Sequence, residues 1–458
     1  MSAPHLDHRF ADAFPELVHA ARGEPQPDPR LILLNETLAR ELGLDPGWLR
    51  SPEGVTFLLG RGGGRTVAMG YAGHQFGQLS PRLGDGRALL LGELTDTAGR
   101  VRDLHTKGTG PTAFSRGGDG RGALGPMLRE YLVSEAMHAL GVPTTRALAV
   151  VSTGRKIQRG GVVPGAALVR TAASHLRIGT VQYARLIGDE DLVDRLCTYA
   201  RERHHPALDT HEAFFRAVMH AQAETIAKWM RLGFIHGVMN TDNTTLSGET
   251  IDYGPCAFLD RFDPATFFSS IDTHGRYAFR NQPAILGWNL ARLAEAMVPL
   301  FDADENAAVE KAQAAMDDFP GVWEKAQERE LARALGTSDA DLGRRWLELL
   351  EERAPDLTST HRLLADSPTA LAEVVGREWV ADWQALSPDT AALDRLHPRY
   401  IPRNHLLQAA LTDAEAGDLV PYLQLLAAVT DPYTDHGPEL RRPAPEGFDE
   451  MFRTFCGT

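Results

Sequence analysis

The stretch from His236 to Gly254, HGVMNTDNTTLSGETIDYG, constrains this chain more than any other part, because it gathers oxygen donors and a glycine pivot into nineteen residues. Asp242, Asn243 and Asp252 carry the hard oxygens that suit Mg²⁺. An isolated Asp-Asn pair is ordinarily an Asx-turn. Here His236-Gly237 on one side and Asp252-Tyr253-Gly254 on the other favour a nucleotide-and-metal site instead.

Kinase-type phosphotransferases read H-G-D-x-x-x-x-N or H-R-D-x-x-x-x-N before a short strand, with a metal-binding D-F-G about a dozen residues later. This chain supplies His236, Gly237, Asn243 and Asp252-Tyr253-Gly254, but the base position holds Val238, which cannot accept a proton. The nearest acid is Asp242. Asn243 and Asp252, with a turn at Ser247-Gly248 between them, are expected to meet across a hairpin and hold the metal, leaving Asp242 beside it to take a proton from an incoming hydroxyl.

At 458 residues the chain can bury a large core, and a net charge of -14 argues against a nucleic-acid partner whose phosphates must be neutralised along a strand. The three cysteines, Cys197, Cys256 and Cys456, lack C-x-x-C spacing, so neither a zinc site nor a disulfide framework is indicated. No apolar run reaches membrane-spanning length and the N-terminus has no targeting pattern, so a cytoplasmic protein without a membrane partner is expected.

Packed structure is expected to begin near Leu31, Leu33 and Leu34, and Arg61 to Arg65 marks a loop. Ala88 to Leu94 and Val101 to Lys107 read as a hairpin whose turn lies near Asp96 to Gly99. Period two puts Lys107 on one face with Asp103 and His105. A helix beginning at Pro126 and stopping at Gly141 carries Glu130. Strands follow at Arg146 to Val151 and Val162 to Arg170. A long helix, capped by Asp209 with Glu212, runs to Leu232 and stops at Gly233. HGVMNTDN and TIDYGP read as strand-rich. Beyond Pro283 helical spacing dominates, over Leu286 to Met297, Ala303 to Phe319 and Asp341 to Glu352. The expected class is α+β, with a small α/β lobe over residues 1–170 and a larger, mainly helical lobe over 171–458.

A lysine on a strand and a glutamate on the next helix, Lys107 and Glu130, suit a phosphate-binding ammonium held by a carboxylate. Gly84 to Arg87 reads on its own as an ordinary tight turn, or as a stretch whose glycines let backbone approach a nucleotide while Arg87 meets phosphate. Gly120 to Gly125 matches G-x-G-x-x-G, but the loop-like Pro111 to Asp119 before it lacks the strand a dinucleotide fold needs. No glycine precedes a lysine, which removes the P-loop class. Arg170 and Arg177 offer guanidinium forks for phosphate, although arginines at a strand end are more often salt-bridged or solvated.

These pieces occur in order. YAGHQFGQ from Tyr71, LGDGR to Arg87, LHTKGTG to Gly110, SRGGDGR to Arg121, REYLVSEAMHALGVPTTRAL to Leu148, GFIHGVMNTDN to Asn243, IDYGPCAFLD to Asp260 and HGRYAFRNQP to Pro283 form a collinear set over roughly residues 70 to 290. The chain thereby resembles the selenoprotein O, or YdiU, family of protein adenylyltransferases with a protein-kinase-like two-lobed fold. The resemblance implies that Gly84, Gly86, Arg87, Lys107, Asp119, Gly120, Arg170, Arg177 and Asp252 contact ATP. It also implies Asp242 as proton acceptor, Asn243 and Asp252 as ligands of Mg²⁺ or Mn²⁺, and Glu130 as the partner of Lys107. In that family the nucleotide is inverted relative to kinases, which fits Val238 and presents the α-phosphate to a Ser, Thr or Tyr hydroxyl of a protein substrate. Two alternatives stay open on the residues alone: a nucleotide-binding pseudokinase without activity, and a conventional phosphotransferase. Family members often carry a cysteine or selenocysteine near the C-terminus, here Cys456. In some bacterial relatives it pairs with a cysteine after the D-Y-G, where this chain has Ser269 and Ser270, which weighs against redox control.

Overall fold

The computed structural model describes residues 3–62, 64–188 and 190–455. Cys456, and Gly63 within the expected loop at Arg61 to Arg65, lie outside the described residues. Twelve strands are present among those described: β1 (Val18–Ala20), β2 (Arg30–Leu34), β3 (Val67–Met69), β4 (Gly73–Gln75), β5 (Gln78–Ser80), β6 (Ala88–Thr95), β7 (Val101–Lys107), β8 (Gly122–Ala123), β9 (Arg146–Gln158), β10 (Val162–Ala172), β11 (Phe234–Ile235) and β12 (Ala257–Phe258). The main sheet is antiparallel, in the order β1-β3-β6-β7-β10-β9-β2 with β8 on β10. Residues 88–94 are all buried, so side chains on both faces of β6 leave water, as a sheet covered on both sides requires. The β6–β7 hairpin turns where expected, because the Asp96 carboxylate accepts from the N–H groups of Ala98 and Arg100.

Packing starts earlier than Leu31: Phe10, Phe14 and Leu17 are already buried and β1 forms a sheet edge. Five-residue and three-residue helical turns, Arg9–Ala13 and Pro15–Leu17, are too short for periodicity to register. Five longer helices position the site: α1 (Leu124–Ala139), α2 (Ile178–Ile187), α3 (Glu190–His204), α4 (His211–Leu232) and α5 (Gln282–Met297). The N-cap of α4 is Thr210, whose side chain accepts from Ala213 N–H, rather than the expected Asp209; its end at Gly233, with φ 70°, is as expected. Further helices at Glu305–Asp317, Phe319–Leu335 and Ala340–Arg353 make the C-terminal half largely helical.

The strand-rich reading of residues 236–254 does not hold. Only the two-residue pair β11–β12 flanks this stretch, and Thr241–Asn243 is a 3₁₀ turn. No hairpin joins Asn243 to Asp252 among the described residues: Thr245 bridges to Arg177 and Thr250 to Thr144. Side chains replace the ladder, with Asn289 Nδ2 on Met239 O, Gln222 Nε2 on Thr245 O and Thr225 Oγ1 on Gly248 O.

One apolar cluster runs from Phe10 through α1, α4 and α5 to Val429, binding one face of the sheet to the helices, and a second, including Leu58, Leu91 and Val151, covers the other face. Tyr422 near the C-terminus donates to Leu128 O within α1.

Candidate active site

Lys107 ends β7 between Ala88 of β6 and Leu168 of β10, so its stem is enclosed by neighbouring strands. Its Nζ lies 2.6 Å from Glu130 Oε2 and 2.7 Å from Asp252 Oδ1. Arg170, from β10, joins the same two acids at 2.8 and 2.7 Å, and Arg177 reaches Asp252 Oδ2 at 3.0 Å. Lys107, Arg170 and Arg177 thus share the carboxylates of Glu130 and Asp252. Burial alone would raise the Asp252 carboxyl, but Arg170, Lys107 and Arg177 outweigh it and hold Asp252 well below the usual carboxylate range. Glu130 is held down against burial by Lys107 and Arg170. Asp252 has φ 64°, a left-handed backbone rare outside glycine, and the three cations fix it there.

Asp242 stands beside this cluster: Arg177 Nη1 donates both to Asp242 O at 2.7 Å and to Asp252. Its carboxylate is buried, and Oδ1 has no hydrogen-bond partner among the described residues. Burial pushes its pKa up to about 6, against the pull of Arg177. The β4–β5 hairpin closes over it. Gly73 is required there, since a Cβ would sit 2.2 Å from Asp242 Oδ1. Asn243 Nδ2 donates to Val238 O at 2.9 Å, leaving its amide oxygen as the acceptor of that group. The Asp252 carboxylate, the Asn243 amide oxygen and the unpartnered Asp242 oxygen are hard donors of the kind a divalent cation takes.

Gly84 to Arg87 adjoin the cluster through Asp85, which pairs with His105 at 3.1 Å and approaches Arg177 at 4.0 Å. Although burial opposes it, His105 and Arg177 hold Asp85 at about 2. Gly84 has φ 72°, and a Cβ there would strike the Phe114 ring at 2.3 Å, so this glycine serves the packing of the Pro111–Ser115 loop. Arg87 O accepts from Gly108 N–H across the hairpin from Lys107. Asp119 and Gly120 belong to a different group: Asp119 pairs with Arg159 at 2.5 Å and accepts from Arg121 N–H, and Gly120 packs against Gly110 O. No hydrogen bond or ion pair joins them directly to Asp252 among the described residues.

The sequence reading assigned no role to Tyr71 or Arg159, whereas it placed Asp103 and His105 on the face of Lys107 without naming their partners. Tyr71 places its ring 4.4 Å from the Arg177 guanidinium. Arg159 anchors Asp119. His105 stacks on His175 at 4.2 Å, and His175 pairs with Asp103, which also binds Arg203 at 2.6 Å. The signal for His105 and Asp103 was their alternation with Lys107; nothing local marks Tyr71 or Arg159.

A strand-borne lysine is thus paired with a helical glutamate and joined by an aspartate that stands two residues before a glycine. A sequence model described as "Protein adenylyltransferase SelO" matches residues 4–416. The chain is 55% identical over 479 residues to "Protein nucleotidyltransferase YdiU" of Corynebacterium efficiens, covering 100% of this chain and 97% of that protein. Proteins of the same description are 54% identical over 478 residues in Mycobacterium sp. strain KMS (99% of each chain) and 51% identical over 483 residues in Pseudarthrobacter chlorophenolicus (99% of this chain, 98% of that one). The chain belongs to the SelO protein adenylyltransferase family, and by that membership it is a nucleotidyltransferase.

Proposed function

We propose that this protein transfers AMP from ATP to Ser, Thr or Tyr hydroxyls of protein substrates, through a site built on a two-lobed, protein-kinase-like frame with lobes over residues 1–170 and 171–458. Lys107, Arg170 and Arg177 take the phosphates, Glu130 holds Lys107, and Gly84, Gly86, Arg87, Asp119 and Gly120 complete the nucleotide-binding surface. Asn243 and Asp252 would hold Mg²⁺ or Mn²⁺, which when bound supplies charge neutralisation at the phosphates. The substrate hydroxyl oxygen bonds to the α-phosphorus, its proton passes to Asp242, and the bond to the bridging oxygen breaks to release pyrophosphate. The cation cluster takes up the charge that develops on the leaving group.

The observation that carries this reading is the buried Asp242 carboxylate, with one oxygen unsatisfied among the described residues, beside the Arg177–Asp252 pair. Val238, at the usual kinase base position, is an apolar side chain with only 7% of its surface exposed. ATP labelled at the α or the γ phosphate tests it with a protein acceptor. Label entering protein from the α position is expected; entry from γ alone would make the protein a phosphotransferase, and bound ATP with no transfer a nucleotide-binding pseudokinase.

A further inference from the structure

The β4–β5 hairpin that closes over Asp242 continues into a basic and aromatic ledge. At its base Gly73 packs on Asp242, and His74 N–H donates to Thr241 Oγ1 at 2.8 Å. At its tip Phe76 has φ 53°, and its N–H is held by Asn240 Oδ1 and Tyr277 OH at 3.3 and 3.2 Å. The His74 ring meets Trp288 edge-on at 5.1 Å, and Trp288 carries two guanidiniums, Arg276 at 5.1 Å and Arg292 at 5.0 Å. Among the described residues neither arginine finds an acceptor for its buried Nε. Arg276 has no carboxylate within ion-pair distance among the described residues, whereas Arg292 shares the exposed Glu295 at 2.5 Å. Asp272, close by, is occupied by the N–H groups of Arg276 and Tyr277. Beside Arg276 opens a cavity of about 570 Å³ whose wall includes Phe76, Ile271 and Ile285, with Ile271 49% exposed.

Two arginines lie over one tryptophan on a chain of net charge -14, and of the two only Arg292 has an ion-pair partner among the described residues. Contact with the ring holds the guanidiniums in place, and their outer N–H groups suit charge-assisted hydrogen bonds to a carboxylate. From Gly73 to the hairpin tip, strand rise gives about 10 Å. An extended peptide covers that distance in about three residues.

We propose that this ledge is the docking surface for the polypeptide substrate, and that it selects segments carrying a carboxylate about three residues from the modified hydroxyl. An apolar residue of the same segment enters the cavity beside Phe76 and Ile285. The assignment of the hydroxyl rests on the adenylyl-transfer reading; the preference for acid rests on the arginines.

Fluorescence anisotropy without ATP separates the two. The probes are fluorescein-labelled serine peptides with glutamates about three residues from the serine, with lysines at those positions, or with the glutamates moved about eight residues away. The first is expected to bind roughly tenfold more tightly than the others, and Arg276→Glu with Arg292→Glu to reverse the preference. Arg276→Lys, which keeps the charge, retains it; should the double reversal not fold, Arg276→Gln alone is expected to abolish it. In transfer assays the arginine variants raise KM for the acidic peptide and leave KM for ATP unchanged. Equal binding of acidic and basic peptides by the unaltered protein would overturn the proposal, as would displacement of the acidic peptide by ATP, which would assign the arginines to nucleotide. Retained preference for the acidic peptide without any AMP transfer would instead sink the transfer reading alone.

Discussion

Asp252 concentrates the electrostatics of the site, because both of its oxygens accept from cations while its backbone is held at φ 64°. Asp252→Ala leaves Lys107 and Arg170 with Glu130 alone and removes the carboxylate partner of Arg177 at 3.0 Å. Breaking such a buried set costs about 3 kcal/mol. Denaturant unfolding is expected to show that loss together with abolished metal-dependent transfer, and full activity in the variant would refute the metal assignment. Gly73→Ala tests the neighbouring acid: a Cβ 2.2 Å from Asp242 Oδ1 must displace the carboxylate. The expected result is a roughly hundredfold loss of transfer with ATP binding retained, since misplacement by about 1 Å has that effect; unchanged transfer would remove Asp242 from the reaction. At this scale the sequence was readable where partners lie on one element. Period two already put Asp103, His105 and Lys107 on a common face, and in the fold each meets a carboxylate or histidine there. Tyr71 and Arg159 meet their partners from distant parts of the chain, and no spacing rule encodes that.

Among the elements, the long ones were legible and the 236–254 loop was not. The pair β6–β7 and helix α4 declare themselves through a continuous apolar run and a long helical stripe, with a glycine stop. The 236–254 stretch mimics strands in composition, yet Gly237 at φ 81°, a 3₁₀ turn and side-chain hydrogen bonds from α4 and α5 make it a pinned loop. Its register is set by tertiary contacts, which outweigh local preference. The cap of α4 was displaced by one residue for a related reason, because Asp209 and Thr210 both suit that position. Thr210→Ala is expected to cost about 1 kcal/mol in thermal or denaturant unfolding with no change in ATP affinity; a negligible loss would move the cap back to Asp209. Near the C-terminus, Ser270 N–H donates to Thr454 O at 2.9 Å, Ser269 bridges to Thr454, and Thr454 Oγ1 donates to Pro255 O at 2.6 Å. Hydrogen bonds therefore hold residues just before Cys456 against Ser269 and Ser270.

Across the whole molecule, the mixed class and the helical C-terminal half were visible in the alternation of patterns, whereas the first cluster's reach from Phe10 to Val429 was not, since periodicity names a buried face without its partner. One acid within the sheet makes stability pH-dependent. Glu93 is fully buried, and burial together with the nearby Asp103 charge raises its carboxyl from 4.5 to about 7, against Arg203 and the N–H groups of Arg9 and Phe10. The folded state therefore keeps a proton that the unfolded chain releases. Stability from this group is full below about 4.5 and is lost as pH rises through about 7. Unfolding free energies of the unaltered protein and Glu93→Gln are expected to converge or cross between about pH 5 and pH 8, by on the order of 2 kcal/mol in favour of the variant at the higher pH. A difference independent of pH would show that Glu93 is ionised throughout. The chemistry itself is read by the intact mass of a protein substrate after incubation with ATP, Mg²⁺ and the enzyme. Addition of an adenylyl group, absent with Asp242→Asn, is the predicted result. Addition of a phosphoryl group only, or adenylylation undiminished in that variant, would contradict it.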